Sequence, residues 1–249
     1  MTDRPILFSA PMVRALLDGR KTQTRRALNP QPPDWATFCQ QPSTLNIMHQ
    51  WVPSGLWAWS EEEQTPPRAL RRWPIDADGH HYWLRPKFAT GDRLWVREAW
   101  RSQEHFDGQS PAEICAEFEA EYGAASCPAF YEADRKCDGH SVDLWQQSPP
   151  GRLRASMHMP RCASRLTLIV TNVRIERLQA ISEEDAIAEG CTGCLGPNSD
   201  FPDEWDPSPR EEYRDLWNEI NGAGAWNANP WVVAYTFTVI QKNIDEVRR

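Results

Sequence analysis

The stretch PILFSAPMVRALLDGRKTQTRRA, residues 5–27, carries the first decision about the fold. Ile6-Leu7-Phe8 is a short apolar run of strand type. Ser9 stands where a helix needs an N-cap, and Met12, Val13, Leu16 and Leu17 follow at spacings that put apolar side chains on one helical face. Gly19 ends that helix, because glycine takes up the left-handed conformation of a C-terminal cap without steric cost. From Lys21 to Arg26 the chain resumes as an extended segment carrying two threonines. The order is strand, helix, strand.

Residues 28 to 90 then lose all periodicity. They are crowded with proline and with Trp35, Trp51, Trp57, Trp59, Trp73 and Trp83, and read as a long insertion folded over a core. Gly91-Asp92 makes a turn, Arg93 to Glu98 reads as a strand with Leu94 and Val96 on one face, and Trp100 follows. A second irregular, acidic segment runs from about 101 to 150. Structureless stretches of that length exceed ordinary loops, so each is expected to be partly ordered, functional, or both.

The signal strengthens from Arg165. Leu166, Leu168 and Val170 alternate, and Val173 and Ile175 do so again after a slip at Thr171-Asn172, which predicts two strands or one bent strand with a bulge. Ser182-Glu183-Glu184-Asp185 resembles a capping box, with Gly190 as the stop. After a third insertion, about 191–208, Ser208-Pro209-Arg210-Glu211 is a cleaner box, and Tyr213, Leu216, Trp217 and Ile220 follow at helical spacing. The chain closes with a strand in which Val233, Tyr235, Phe237 and Val239 alternate with Val232, Ala234, Thr236 and Thr238. The expectation is one domain over 1–249, α+β and mostly β: a small closed barrel with two or three helices and long irregular insertions.

Composition narrows the class. With 40% hydrophobic and 25% charged residues the chain is globular, and 21 Pro with 13 Trp imply many loops pinned by indole rings. A net charge of -8 excludes a protein that coats nucleic acid through a general basic surface, since such binding needs many Lys or Arg at phosphates. Basic residues are instead local: Arg4, Arg14, Arg20, Lys21, Arg25 and Arg26 near the start, then Arg152, Arg154, Arg161, Arg165, Arg174 and Arg177. Those at 152–165 either hold phosphate or sit on a solvated loop. No window approaches the ~18 apolar residues of a membrane span, so no membrane partner is expected. The start lacks an apolar secretory core and the seven cysteines are an odd number, which predicts a cytoplasmic protein with mostly reduced thiols. Cys191-Thr192-Gly193-Cys194 offers only two ligands with metal-like spacing; Cys127, Cys137, His140 and Cys162 complete no recognisable set. Neither a metal nor another cofactor is expected.

Several blocks resemble one family. The opening 5–26, GDRLWVREAW (91–100), MPRCASRLTLIV (159–170), RLQAISEEDAIAEG (177–190) and the closing LWNEING and NPWVV (216–222, 229–233) are similar to ASCH proteins, especially the longer form found in phages and prophages. These blocks cover somewhat under half of the chain, in the family's order. The resemblance implies a PUA-like β-barrel and a nucleoside, nucleotide or RNA as partner. One bacterial branch of the family consists of amidohydrolases that deacetylate N4-acetylcytidine. Carried over position by position, its catalytic Lys, Thr and Glu fall on Lys21, Thr24 and Glu189, and its further Arg on Arg26. This chain is more than twice as long as that branch, with insertions that bear on any cleft.

Those residue types suit amide hydrolysis, which needs a nucleophile, a proton carrier and a group to stabilise an oxyanion. A lysine acts as a base when burial or neighbouring cations lower its pKa, and Arg20, Arg25 and Arg26 are neighbours in sequence. On one strand Lys21 and Thr24 would face opposite ways, unless Lys21 sits in the turn after Gly19. The plain alternatives are a solvated basic edge strand for 21–26 and a surface position for Glu189. Arg25 and Arg26 are candidates to bind substrate phosphate, and Trp95 and Trp100 to stack a base, with core packing as the rival for both indoles. A non-catalytic RNA-binding module is the second functional reading. A ribonuclease is the third, disfavoured because the sequence shows no compact carboxylate cluster for magnesium.

Overall fold

The structure, a computed structural model, describes residues 2–60, 82–122, 129–134, 149–193 and 207–247. Its elements begin with β1 (Asp3–Leu7), α1 (Ala10–Leu17) and β2 (Gln23–Ala27). Five short strands follow: β3 (Phe38–Gln40), β4 (Ser43–Leu45), β5 (Trp51–Pro53), β6 (Trp57–Ser60) and β7 (Trp83–Leu84). Next come β8 (Arg93–Arg97), β9 (Trp100–Arg101), α2 (Pro111–Tyr122) and β10 (Phe130–Tyr131). The chain ends with β11 (Thr167–Arg177), α3 (Glu183–Ala188), α4 (Pro209–Asn221) and β12 (Trp231–Ile240). This is the strand-rich α+β class expected. The described residues hold four α-helices, one more than the upper expectation, and none of their sheets closes into a barrel.

The chain divides into two compact units, and β11 and β12 each run from one into the other. The first comprises Met1–Thr22, Thr90–Thr171 and Phe237–Arg249. In it β1 pairs in parallel with β8, Asp3 opposite Arg93 through Leu7 opposite Arg97. The other edge of β8 takes the first residues of β11 antiparallel, Thr167 opposite Trp95. Helix α1 forms as the apolar spacing requires, with Val13 and Leu16 fully buried; Ser9 occupies the N-cap but its side chain makes no capping bond. Gly19 at φ 73° turns the chain out of the helix, so Lys21 precedes β2 and the alternation of that strand does not govern it. A satellite core of Trp100, Phe106, Ile114, Met159 and Ala163 joins α2 to β9. Cys115 on α2 and Cys162 form a disulfide; of the described cysteines, Cys39 and Cys191 are free.

The second unit comprises Gln23–Ala89 and Asn172–Thr236. Here β2 pairs antiparallel with β12, Thr24 opposite Tyr235 and Arg26 opposite Val233. Far from lacking structure, residues 28–60 and 82–89 supply β3, β6 and β7 as one small sheet and β4–β5 as a hairpin. Fully buried Trp59 meets Trp231 edge-on at 5.8 Å and Tyr82 at 5.3 Å, an indole pinning an irregular segment as its composition suggested. Ser208 accepts the N–H of Glu211 while the Glu211 carboxylate accepts that of Ser208, the complete capping box read from the sequence of α4. Ser182 accepts the N–H of Asp185 and starts α3. Tyr213 and Trp217 pack with Leu178, Ile181, Ala186, Trp226 and Val232 in this unit's core. No described helix is long and apolar enough to cross a membrane.

Candidate functional site

In the second unit β2 carries Gln23, Thr24 and Arg25, all buried, so this stretch is not a solvated edge. Strand alternation separates their side chains: Gln23 and Arg25 share one face, Thr24 and Arg26 the other. The Arg25 side chain has no exposed surface. Its guanidinium is surrounded by acids delivered by β11 and α3. Nη2 donates to Glu176 Oε1 at 2.7 Å and to Asp185 Oδ2 at 2.6 Å, and Nε donates to Glu176 Oε1 at 3.1 Å. Nη1 donates to Glu189 Oε1 at 3.2 Å and to Gln23 Oε1. Arg174 adds a second cation, donating from Nη2 to Asp185 Oδ2 at 2.8 Å and lying 3.7 Å from Glu176.

The electrostatics follow from this crowding. Burial works to lower the pKa of Arg25, but the charges of Glu189 and Glu176 outweigh it and the net shift is upward. Asp185 is held below the usual carboxylate range: burial opposes this, but the hydrogen bond from Arg174 and the charge of Arg25 prevail. Burial, reinforced by the Glu189 charge, raises the Tyr213 phenol. Three carboxylates therefore gather where the sequence showed no compact cluster, and the cation at their centre is a guanidinium. Among the described residues no group of acids, histidines or cysteines is arranged to hold a metal ion.

The sequence-predicted residues fall out as follows. Glu189 is the C-cap of α3 and only 3% exposed, a buried acid and not a surface one. Thr24 is buried. Arg26 keeps solvent-exposed surface, and the protein packed around it lowers its pKa against the charges of Glu189, Tyr213 and Tyr235. Arg25, expected to bind substrate, has its donors engaged by Glu176, Asp185, Glu189 and Gln23 and no surface to offer a ligand. Lys21 lies in the first unit, buried, with Nζ 5.7 Å from the centre of the Phe8 ring. Trp95 carries the Arg97 guanidinium 4.5 Å from its ring centre, and Trp100 is enclosed in the satellite core. Cys191 is buried; Cys194, Cys127, Cys137, His140 and Trp73 lie outside the described residues. Glu176, Asp185 and Arg174 were missed. Asp185 had been read only as part of a helix start, and nothing in the sequence spacing links β11 to β2.

No family model matches the chain, and no similar curated protein or solved structure was found.

Proposed function

We propose that this chain is a PUA-like, ASCH-type protein directed at nucleosides, nucleotides or RNA, and that it hydrolyses the acyl group from a modified nucleobase or nucleoside resembling N4-acetylcytidine. The observation that carries the proposal is the buried Glu189 carboxylate. It caps a helix C-terminus, where the backbone dipole disfavours an anion by roughly 0.3–1 kcal/mol, and it is enclosed as well. The Arg25 network offsets that cost and fixes the carboxylate. The Glu189 charge is also felt by Arg26, which lies on the same face of β2 as Thr24.

In this reading Thr24 Oγ1 attacks the acyl carbon, Glu189 carries the hydroxyl proton to the leaving amine as the C–N bond breaks, water then cleaves the Thr24 ester to release the acid and restore the hydroxyl, and Arg26 stabilises the oxyanion or holds a phosphate. The test is a chromatographic assay of N4-acetylcytidine and other acylated nucleosides. Thr24→Val should keep nucleoside binding and abolish acyl release, because only the attacking oxygen is lost. Lys21→Ala should weaken the binding of phosphate-bearing ligands, because a point charge is lost. If the wild type turns over no acylated nucleoside yet binds RNA tightly, with Lys21→Ala weakening that binding less as salt rises, the non-catalytic RNA-binding reading replaces the hydrolase.

A further inference from the structure

The first unit holds a buried cation of another kind. Trp100 and Arg154 oppose each other across an antiparallel bridge: the Trp100 N–H donates to the Arg154 carbonyl at 3.1 Å and the Arg154 N–H to the Trp100 carbonyl at 2.8 Å. Directly opposed residues project to the same face of such a ribbon, and Ser102, two places on from Trp100, shares that face. All three are enclosed, at 0%, 0% and 6% exposure for Trp100, Ser102 and Arg154. The Arg154 guanidinium carbon lies 5.6 Å from the centre of the Trp100 ring.

Each of the three leaves a buried polar atom without a partner: Trp100 Nε1, Ser102 Oγ and Arg154 Nε. Arg154 donates from Nη2 to the Phe106 carbonyl at 2.9 Å, and among the described residues no carboxylate comes within ion-pair distance of it. Buried Arg25 and Arg93, and partly buried Arg165, each have acids. Asp107, the nearby acid, accepts the Arg152 N–H at 2.8 and 3.0 Å. It is wedged against Gly151, where a Cβ would come within 2.2 Å of Oδ1. Burial lowers the Arg154 pKa, the neighbouring Arg152 charge adds to this, and Asp107 only partly opposes it.

The chemistry of the unpaired atoms selects the ligand. Indole Nε1 and guanidinium Nε only donate, and a serine hydroxyl can donate too. One water accepts two hydrogen bonds and brings no charge, so it cannot satisfy three donors or neutralise the guanidinium. An oxyanion does both. A cleft of about 300 Å³ lined by Gln103, Glu104, His105 and Pro149 opens beside the next step of the same ribbon, where Gln103 opposes Pro150. We propose that Trp100, Ser102 and Arg154 form a binding site for a small oxyanion: the phosphate, sulfate or carboxylate group of a small molecule.

Calorimetric titration and thermal unfolding of the full chain test this, with ionic strength held constant by sodium chloride. The probes are inorganic phosphate, sulfate, acetate, cytidine 5′-monophosphate and cytidine. At least one anion should bind saturably and raise the unfolding temperature with its concentration, while cytidine should not act through this site. Binding of phosphate or sulfate alone identifies a free oxyanion; the monophosphate without free phosphate, a phosphorylated molecule; acetate alone, a carboxylate. Ser102→Ala should weaken binding about tenfold, Arg154→Lys by more because Nε is lost, and Arg154→Met should abolish it. If Arg154→Met does not fold, the first two variants carry the comparison. The site is refuted if no anion acts on the wild type beyond sodium chloride, or if Ser102→Ala and Arg154→Lys both bind as tightly as the wild type.

Discussion

Arg25→Met tests the physical account of the buried cluster. The substitution keeps the length and apolar stem of the side chain but removes the guanidinium shared by Glu176, Asp185 and Glu189. Removing one partner of a buried ion pair costs about 3–5 kcal/mol, because the other charge stays enclosed. Glu176 and Asp185 keep about a fifth of their side-chain surface in water and retain Arg174 at 3.7 and 2.8 Å, which favours the low end, about 3 kcal/mol. For a chain of this size that lowers the unfolding temperature by about 6–12 °C. The pH dependence has a definite sign. Asp185 has a depressed pKa when folded, so its contribution is present above the unfolded value near ~3.9 and is lost as pH falls through the folded one. Without Arg25 the Asp185 carboxylate binds a proton more readily, so the deficit should be greatest near neutrality and shrink toward about pH 4.5. Urea unfolding of wild type and variant at about pH 7.5 and 4.5 measures this, and adding Glu189→Gln to Arg25→Met should recover part of the loss. A variant within about 0.5 kcal/mol of the wild type at pH 7.5, or a deficit just as large at pH 4.5, would show that Arg25 does not hold these charges together.

Two further outcomes concern the first unit. Asp3 accepts from Arg93 at 2.8 and 2.7 Å and from Arg161 at 2.8 Å. The Arg93 bond, partly opposed by burial and joined by Arg161, lowers its pKa to about 2. Its stabilisation is therefore present above about pH 4 and is lost as pH falls through about 2; Asp3→Asn should cost about 2 kcal/mol at neutral pH and little at pH 2, as read by unfolding at both. The Cys115–Cys162 disulfide spans 47 residues, for which loop entropy gives about 4 kcal/mol. Reductant should lower the unfolding temperature of the wild type and leave Cys115→Ala unmoved, with thiol titration reporting the bridge directly.

Periodicity and capping make α1, α4 and the long strands legible in the sequence, because such elements depend on residues a few places apart. The Ser208–Glu211 box is complete in both halves, and β11 is one strand across the slip at Thr171-Asn172. Helix α2 was not legible: Ile114 is its buried apolar anchor, but glutamates surround it and the stripe is too weak to read. Strands β3 to β7 are two to four residues long, too short for alternation to register. By itself the sequence determined the strand-rich α+β class, the ends of the capped helices, and Lys21, Thr24, Arg26 and Glu189 as residues worth locating. That Glu189 is buried and that Arg25 is bound to acids came from the fold alone. Glu189 and Arg25 lie 164 positions apart and Glu176 and Arg25 151, and a charge is partnered by whatever the fold brings within hydrogen-bond reach, a distance no local pattern encodes.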